Sequence, residues 1–320
     1  MRSLDIYKKY KSAYQNSLAV IWNMYRKKQL IQVKLKDGSS LTMDYGLVWA
    51  YANTIDEGTK MDENLKERFI RLQKSYRLSN DQNGEFLEFD YYNHHCIFYG
   101  ALENGRVFNG DVSGVFFLEE WRFLNPQGCT VIDVGGNIGD SAIYFALKGA
   151  KKVISLEPFP FSFGFAAKNI AINNLANKIE LLNAGYGKDS VIKVQTGKSD
   201  AASLLIHSLN DSENGKEIRT YSLKTLLDKV SDEDNIVLKM DCEGCEYNLL
   251  DEPINLLRRF KRIEIEFHFG YKNLESMLRK AGFSVRLSKP IRAIGQHPAL
   301  MEMALANKDY TFGWIYAERD

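Results

Sequence analysis

The sequence has few cysteines, almost no net charge and no long apolar run. Four cysteines in 320 residues are too few for a disulfide scaffold, which favours a reducing compartment. A net charge of +1 gives no overall attraction to nucleic acid or to an acidic membrane. No apolar run approaches the roughly 20 residues that cross a bilayer, and no small-residue cleavage site follows Leu18 to Trp22. We therefore expect a cytoplasmic protein without a transmembrane segment or a signal peptide.

Two of the cysteines, Cys242 and Cys245, form a C-x-x-C motif. A zinc site needs a second pair of ligands, and a thioredoxin-like redox site needs the pair to open a helix early in its unit. Neither context is visible in the sequence. We interpret the two cysteines as small residues beside the end of a strand.

One β-α-β unit stands out, between Thr130 and Glu157. The apolar run Thr130 to Val134 is followed by Gly135-Gly136-Asn137-Ile138-Gly139, which predicts a buried strand that ends in a tight glycine turn. A helical apolar spacing follows, and a second strand, Lys152 to Leu156, ends at Glu157. This layout is typical of sites for adenosine-containing cofactors: glycines let the cofactor approach the backbone, and an acid about 20 residues on accepts ribose hydroxyls.

The residues of the turn discriminate between cofactors. A dinucleotide fingerprint that ends at Gly139 would need glycine in place of Val134, and no Gly-Lys-Ser/Thr follows the turn as in a P-loop. Asp133 ends the first strand, where its carboxylate would repel a pyrophosphate but would suit the cationic amino and sulfonium groups of S-adenosylmethionine. The turn therefore favours S-adenosyl-L-methionine over a dinucleotide or a ligand-free unit.

The rest of the C-terminal part alternates strands with helices, which predicts a mostly parallel, doubly wound α/β sheet. Ligands of such sheets bind at the carboxyl ends of the strands. Further strands are predicted at Ile179 to Leu182, Ile236 to Met240, Arg262 to Phe267, Phe283 to Leu287 and Phe312 to Ala317. Together with the first unit, their carboxyl ends carry Asp133, Glu157, Asn183, Asp241 and His268.

Residues 1–110 are predicted to form a small α+β cap of helices and hairpins, and residues 111–320 the cofactor-binding domain. A helix over residues 1–29 combines an apolar stripe with basic residues. This pattern favours packing of the helix on the protein itself, or a homo-oligomer that forms through this helix, over binding to a membrane surface.

Smaller predictions are a hairpin at Ile31 to Met43, a helix at Asn64 to Tyr76, a hairpin around Asn93-His94-His95, a helix at Val112 to Leu124 and a weak strand at Ser203 to Ile206. Neighbouring strand residues point to opposite faces, which argues against metal binding by the two histidines.

Five sequence blocks occur in an order that resembles a known family. They are VIDVGGNIGD (131–140), SLEPFP (155–160), KNIAIN (168–173), LKMDCEGCE (238–246) and IEIEFH (263–268). Over roughly residues 115 to 290 the chain resembles the FkbM family of S-adenosylmethionine-dependent methyltransferases. The resemblance implies the class I, Rossmann-like sheet of seven strands with an antiparallel last strand. It also implies methyl transfer, usually to a hydroxyl oxygen of a sugar or natural product.

The resemblance further implies which residues bind the cofactor. The methionine end would lie at the glycine turn, the ribose at Glu157 and the adenine near Asn183, while Asp241 and Glu243 would face the methyl-transfer cleft. Gly136 stands where the family often has alanine, and we expect that exchange to be harmless. The cofactor-binding set is Asp133, Gly135, Gly136, Asn137, Gly139, Glu157, Pro158, Asn183, Ala184 and Asp241.

The acceptor hydroxyl must lose a proton, so the reaction requires a general base. His268 is the first candidate, because an ordinary histidine pKa of about 6.5 suits proton removal at neutral pH; Glu243 and Asp241 follow. Each candidate also has an alternative role: Asp241 as a cofactor contact, Glu243 as a helix cap and His268 as a strand-end residue without a catalytic function. No metal is assigned, although the three side chains would suit a divalent ion. An RNA or protein methyltransferase and a catalytically silent S-adenosylmethionine-binding module remain alternatives.

Overall fold

The computed structural model describes residues 3–26, 28, 30–45, 48, 51–52, 72, 74–100, 102–103, 106–107, 111–194, 215–231, 235–288, 290 and 311–319. The chain divides into two compact units, Met1–Glu120 and Trp121–Asp320. The domain boundary near residue 110 stays a prediction. The strand predicted at Ser203 to Ile206 and most of the helix predicted at Asn64 to Tyr76 lie outside the described residues.

The first unit begins with two helices, α1 (Ser3–Ala13) and α2 (Ser17–Tyr25). The prediction of a single helix over residues 1–29 is therefore wrong at residues 14–16, where the helix is interrupted. Tyr14 forms an isolated antiparallel bridge with Leu35, and the backbone N–H of Gln15 donates to the Lys34 carbonyl at 2.7 Å. The backbone between the helices thus pairs with a strand instead of continuing the helical ladder.

The strands of this unit pair antiparallel, and both expected hairpins are confirmed. The strands are β1 (Leu30–Lys34), β2 (Ser40–Asp44), β3 (Arg77–Asp81), β4 (Gly84–Tyr91), β5 (His94–Tyr99), β6 (Leu102–Glu103) and β7 (Arg106–Val107). β1 pairs with β2, β4 lies between β3 and β5, and β6 pairs with β7. The ring nitrogens of His95 lie 2.8 Å from Asp90 and 3.1 Å from Glu88, at the surface.

The segment that leads to the second unit is helical but irregular. It consists of α3 (Asp111–Ser113), a π-helix (Gly114–Leu118) and a 3₁₀-helix (Glu120–Leu124). The α-helix expected at Val112 to Leu124 is therefore only partly right. Glu119, with a φ of 49°, separates the last two elements, because a left-handed residue cannot continue a right-handed helix.

The second unit contains a sheet of seven strands and a smaller one of three. The strands are β8 (Thr130–Val134), β9 (Lys152–Leu156), β10 (Ile179–Leu182), β11 (Ala184–Tyr186), β12 (Ser190–Val194), β13 (Lys216–Tyr221), β14 (Ile236–Met240), β15 (Phe260–Phe267), β16 (Ser284–Leu287) and β17 (Gly313–Glu318). The helices are α4 (Asp140–Leu147), α5 (Pro160–Ile172), α6 (Leu223–Leu227), α7 (Ile254–Leu257) and α8 (Lys272–Lys280), with a 3₁₀-helix at Cys245–Asp251.

The seven strands follow the order β10-β9-β8-β14-β15-β17-β16. All are parallel except β17, which runs antiparallel to both of its neighbours. This is the expected α/β, Rossmann-like, doubly wound sheet, with an antiparallel last strand. The chain builds one half outward from β8 and the other outward from β14, so the strand order reverses between these two strands. Open α/β sheets bind ligands at that point, outside the carboxyl ends of the strands.

The two faces of the sheet differ in polarity. One face joins the main apolar cluster, in which Ile132, Leu238 and Ile263 pack with the buried side of α8. Across the other face, Asp133, Lys239 and Glu264 are neighbours in register on β8, β14 and β15, and all three are buried. Charges buried in this way are costly unless they pair. Burial raises the pKa of Glu264 well above its ordinary value, which favours its neutral form, whereas Asp133 and Lys239 pair with each other. Within the described residues, no helix is long and apolar enough to cross a membrane.

Candidate functional site

The glycine turn after β8 packs between the carboxyl ends of the two neighbouring strands, β9 and β14. The backbone N–H groups of Gly135 and Gly136 both donate to the Leu156 carbonyl, at 3.0 and 2.8 Å. Gly135 has a φ of 82°, and a Cβ there would lie 1.7 Å from the backbone oxygen of Asp241. Only glycine fits this position, because both the backbone conformation and the available space exclude a side chain.

Gly136 is equally enclosed, although its backbone conformation is ordinary. A Cβ there would lie 2.2 Å from the Ser155 hydroxyl oxygen, which itself donates to Asp133 at 2.8 Å. The expectation that alanine is a harmless exchange at Gly136 is therefore wrong for this chain. The short hydroxymethyl side chain of Ser155 is held by its hydrogen bond and has little freedom to move away.

Asp133 does not face the ligand side of the turn; its carboxylate is completely buried under it. Oδ2 accepts hydrogen bonds from the hydroxyls of Ser141 and Ser155, at 2.9 and 2.8 Å. Oδ1 lies 3.2 Å from the ammonium of Lys239. Asp133 is thus not positioned to attract a cationic cofactor directly, as we expected from the sequence, because its carboxylate is buried and already paired with Lys239.

Lys239 links this ion pair to the glycine turn. Its ammonium donates to the Gly135 carbonyl at 2.6 Å and lies 5.2 Å from the centre of the Trp121 ring. Burial by itself lowers the pKa of Lys239, but the carboxylates of Asp133, Asp241 and Asp140 outweigh that effect and raise the pKa above its ordinary value. The lysine stays charged and fixes the turn from below.

Glu157 joins the turn to the end of β9. Its Oε2 accepts from the backbone N–H of Asn137 at 2.8 Å, and its Oε1 accepts from that of Phe159 at 2.9 Å. Burial raises the pKa of Glu157 to about 8, although both N–H bonds act in the opposite direction. The carboxyl group is thus fixed at the strand end next to the turn, as the expected ribose contact requires.

The residues expected near the adenine lie beside Glu157. The Asn183 side-chain amide donates to the carbonyls of Glu157 and Pro158, at 2.9 and 3.1 Å. Ala184 is buried and begins β11, which pairs in parallel with β13. The structure therefore brings Glu157, Pro158, Asn183 and Ala184 together at one end of β9 and β10.

A second cluster follows β14 and β15. The ring of His268 lies between two carboxylates: Nε2 is 3.2 Å from Glu243 Oε2, and Nδ1 is 3.1 Å from Glu246 Oε1. Glu246 is fully buried and also accepts from the backbone N–H groups of His268 and Gly244, at 3.1 and 2.8 Å. The backbone N–H of Asp241 donates to the Val134 carbonyl at 3.1 Å, which holds the cluster against the strand of the glycine turn.

The protonation of this cluster differs from the simple expectation. Burial alone lowers the pKa of His268, but Glu243 and Glu246 raise it well above the ordinary histidine value. Burial raises the pKa of Glu243 to about 7, against the opposing effect of His268. With both ring nitrogens beside carboxylates, an imidazolium is favoured and the ring has no free lone pair. The ordinary histidine pKa that made His268 the first candidate for the general base therefore does not hold in these surroundings, and the identity of the base stays a prediction.

Asp241, Glu243 and His268 also meet the spacing of a metal-ligand set. One ligand atom from each residue lies within 4.8 Å of the other two. Carboxylate oxygens and an imidazole nitrogen are ligands for a divalent ion.

The C-x-x-C motif is closed by a disulfide between Cys242 and Cys245, whose Cα atoms are 5.4 Å apart. The interpretation of these residues as two separate small side chains is wrong. The turn between them contains Glu243 and Gly244, with φ values of 55° and 118°, and this turn brings the two sulfurs to the same side. The disulfide thus encloses Glu243, one of the two carboxylates that contact His268.

The family comparison agrees with this geometry. The model of the methyltransferase FkbM domain matches residues 133–285. Those residues are therefore similar to an FkbM methyltransferase domain. The match begins at Asp133 and contains the glycine turn, Glu157, Asn183 and the cluster around His268.

Individual relatives of the FkbM domain are distant. Uncharacterized protein 158B of Sulfolobus islandicus rod-shaped virus 1 is 29% identical over 157 residues, which cover 49% of this chain and 72% of the viral protein. Among solved structures, a precorrin-6y C5,15-methyltransferase of Geobacter metallireducens is 13% identical (69% of this chain, 94% of that chain, TM-score 0.36). A putative tRNA methyltransferase of Streptococcus pneumoniae in complex with S-adenosyl-L-methionine is 16% identical (63% and 71%, TM-score 0.39). The fold assignment rests on the strand order.

Two residues to which the sequence assigned no role are central to the site. Lys239 and Glu246 occur in the sequence analysis only as members of the block LKMDCEGCE. A lysine inside a run of five buried strand residues is unusual, and it was the available signal for a buried ion pair. Glu246 gave no comparable signal, because its contact with His268 depends on how β14 and β15 pair.

Proposed function

We propose that this chain is an S-adenosyl-L-methionine-dependent methyltransferase that methylates a hydroxyl oxygen of a sugar or small natural-product acceptor. The observation that carries the proposal is the bond between the Asn137 N–H and the Glu157 carboxylate, 2.8 Å long. It joins a bare glycine turn to an acidic strand end at the position where the strand order reverses. An adenosine-containing cofactor requires these two features side by side.

The residues present fit this cofactor. Side chains are excluded at Gly135 by the 1.7 Å approach to Asp241, so the main chain of the turn stays open to a ligand. Each Glu157 oxygen accepts one N–H bond in the described structure, and a carboxylate oxygen can accept two, which leaves capacity for ribose hydroxyls. Asn183 and Ala184 lie where an adenine would follow the ribose. When bound, S-adenosylmethionine supplies an electrophilic methyl group on a positively charged sulfur.

Asp133 takes an indirect role in this proposal. Its buried charge fixes Lys239, and Lys239 holds the Gly135 carbonyl. Asp133 and Lys239 are thus positioning residues for the turn, while the backbone of the turn makes the contacts with the methionine part. This arrangement keeps the turn in one conformation before the cofactor arrives, which lowers the entropy cost of binding.

Glu243 is the general base in this proposal. Its side chain is 36% exposed, whereas that of His268 is 8% exposed, so an acceptor hydroxyl reaches the carboxylate more easily. A pKa of about 7 suits a base that works near neutral pH. His268, held by Glu246, orients the carboxylate, and Asp241 lies beside it to position the acceptor.

A divalent ion bound by Asp241, Glu243 and His268 is the competing role for the same cluster. An ion there would orient two substrate hydroxyls and compete with a proton for Glu243. The two roles are distinguished by activity after exhaustive chelation and after return of Mg²⁺ or Mn²⁺. Activity that is unchanged by chelation supports the base, and activity that depends on the ion supports the metal site.

Calorimetry with S-adenosylmethionine tests the cofactor directly. We expect saturable binding of S-adenosylmethionine and none of a nicotinamide dinucleotide. Above pH 8, where the Glu157 carboxylate is ionised, a Glu157→Ala variant should bind at least about tenfold more weakly, because one lost charged hydrogen bond costs about 1.5–3 kcal/mol. Glu217→Ala is the matched control, since Glu217 is an exposed acid on β13. Equal affinity of wild type and Glu157→Ala would contradict the ribose assignment.

The acceptor class requires its own experiment. The protein is incubated with methyl-labelled cofactor and a cell extract that is divided into small molecules, glycans, RNA and protein. Label in a hydroxyl-bearing small molecule or glycan, absent with Glu243→Gln, supports the proposal. Label confined to RNA or protein contradicts the acceptor class, and cofactor binding without any transfer contradicts the enzymatic role.

A further inference from the structure

Helix α2 carries an apolar stripe that faces solvent. Leu18, Trp22 and Tyr25, spaced at i, i+4 and i+7, are 68%, 58% and 78% exposed. The opposite side of the helix, with Val20 and Met24, is buried. The sequence pattern favoured packing of the whole N-terminal stripe, and Tyr14 is indeed fully buried, but the α2 part of the stripe is not covered by the described residues. An exposed apolar patch of this kind marks an interaction surface.

The sequence segment that contains this stripe is strongly basic. Residues 1–36 contain nine lysines and arginines and a single acid, Asp5, in a chain whose total net charge is +1. The Arg26 guanidinium lies 6.0 Å from the centre of the Trp22 ring, and Lys28 is exposed just after the helix. The partner of the stripe must therefore combine an apolar interior with negative charge.

We propose that α2 binds to an anionic lipid surface, with Leu18, Trp22 and Tyr25 in the interfacial layer and the flanking basic side chains on the lipid headgroups. Amphipathic helices with aromatic and aliphatic residues on one side and lysine or arginine beside them lie in this way in the headgroup region. Indole and phenol rings suit that region because one edge is apolar and the other is polar. The electrostatic part comes from basic residues near a negatively charged leaflet.

The charge argues against a second copy of the chain as the partner. A two-fold symmetric contact brings the same patch of both copies together, so the basic segments would repel each other. Nucleic acid would satisfy the charge, and its bases would stack on Trp22 and Tyr25. It would leave Leu18 without a favourable contact, because an aliphatic side chain has no ring face on which a base can stack. A lipid surface satisfies all three side chains and the charge.

Vesicle flotation with the full chain tests the proposal. Vesicles of phosphatidylcholine alone are compared with vesicles of phosphatidylcholine and phosphatidylserine in equal parts, at low and high salt. We expect binding to the anionic vesicles only, and weaker binding at high salt because screening reduces the electrostatic attraction. A Leu18→Ser, Trp22→Ser double variant should lose at least about tenfold in partition, since two apolar contacts are removed.

Two controls make the result specific. Tyr92→Ser with Val191→Ser removes two exposed apolar side chains elsewhere, 53% and 56% exposed, and should bind as the wild type does. Arg26→Glu with Lys28→Glu should weaken binding to anionic vesicles, whereas Lys188→Glu with Lys193→Glu should not. Thermal unfolding of every variant confirms that the fold is retained.

Each other outcome overturns the proposal. Failure to bind anionic vesicles, or equal binding by the Leu18→Ser, Trp22→Ser variant, excludes the lipid surface. Binding to single-stranded RNA without binding to vesicles assigns the surface to nucleic acid. A dimer in solution that dissociates in the same variant assigns the stripe to a second copy of the chain.

Discussion

The ammonium of Lys239 and the carboxylate of Asp133 form an ion pair, 3.2 Å apart, whose side chains are 2% and 0% exposed. The pair lies across two neighbouring parallel strands in the middle of the sheet. Because the same ammonium donates to the Gly135 carbonyl, the pair connects the interior of the sheet to the glycine turn. Its energetic role and its role in binding are separable by mutation.

Removing only the lysine should be more damaging than removing both charges. Lys239→Met leaves Asp133 buried without its ion-pair partner, which costs about 3–5 kcal/mol of unfolding free energy. Lys239→Met combined with Asp133→Asn removes both charges and should recover a large part of that loss. Urea unfolding of the two single variants and the double variant measures the coupling. Additive losses would show that the two residues do not act as a pair.

The double variant also tests the positioning role. It should still bind S-adenosylmethionine more weakly than the wild type, because the Gly135 carbonyl has lost its contact with Lys239. Calorimetry on a variant whose stability has been restored separates this effect from unfolding. Unchanged affinity would limit the pair to a structural role.

The glycine turn should be sensitive to a single methyl group. Gly136→Ala is expected to lower both the melting temperature and the cofactor affinity, because its Cβ would meet the Ser155 hydroxyl at 2.2 Å. Adding Ser155→Ala removes the clash and should restore part of the loss. Gly164→Ala in α5 is the matched control: a Cβ there meets nothing within 4 Å, and alanine should stabilise the helix by about 0.5–1 kcal/mol. A Gly136→Ala variant that behaves like Gly164→Ala would contradict the packing of the turn.

The raised pKa of Glu157 predicts that both the free energy of unfolding and the affinity for the cofactor depend on pH. Burial raises its pKa from 4.5 to about 8, so the folded state binds a proton that the unfolded state releases. Stability should therefore fall as pH rises from 4.5 to about 8, and Glu157→Gln should flatten that slope. Cofactor affinity should rise over the same range, because ribose hydroxyls donate to the ionised carboxylate. Calorimetry and urea unfolding between these limits measure both slopes; an affinity that falls with pH would be inconsistent with a ribose contact.

Substitution of Glu243 should mainly lower kcat, whereas substitution of Glu246 should mainly lower stability. Glu243→Gln is expected to lower kcat by about 100- to 10,000-fold and to remove the rise of kcat near pH 7, as loss of a general base does. Glu246→Gln should mainly lower stability, because Glu246 is fully buried and accepts two backbone N–H bonds as well as contacting the ring of His268. Comparison of pH–rate profiles with unfolding curves distinguishes the two. A pH profile retained in Glu243→Gln would assign the base elsewhere.

Opening the disulfide between Cys242 and Cys245 should lower kcat, because the disulfide closes the turn that contains Glu243. Reduction with dithiothreitol, or Cys242→Ser with Cys245→Ser, frees the turn that holds Glu243 beside His268. We expect a lower kcat with little change in cofactor affinity, since the glycine turn lies on other residues. Thiol titration should count two reactive thiols in addition to the buried Cys96 and Cys129 after reduction. Equal kcat in oxidised and reduced protein would show that the turn is held by Glu246 and Gly244 alone.

The sequence by itself determined which segments form the seven strands of the large sheet and the type of that sheet; it did not predict β11 or β13 of the smaller sheet. Buried parallel strands read as short apolar runs, and a helix is recognised by its period and by its cap, as at Ser222, whose hydroxyl accepts from the Thr225 N–H. The glycine turn and Glu157 were also found, because a turn without side chains and an acid at a strand end are local patterns.

Only the tertiary structure decided what these residues contact. Asp133 was placed correctly at the end of β8, but its orientation toward Lys239 depends on the register between β8 and β14, which no local pattern encodes. The protonation of His268 likewise depends on Glu243 and Glu246, which approach it from another strand end. The break between α1 and α2 arises from pairing with a later strand. Local sequence patterns thus determine the helices and strands, whereas contacts between residues distant in sequence determine how the ionisable groups pair and whether they are protonated. In this chain those groups define the candidate site.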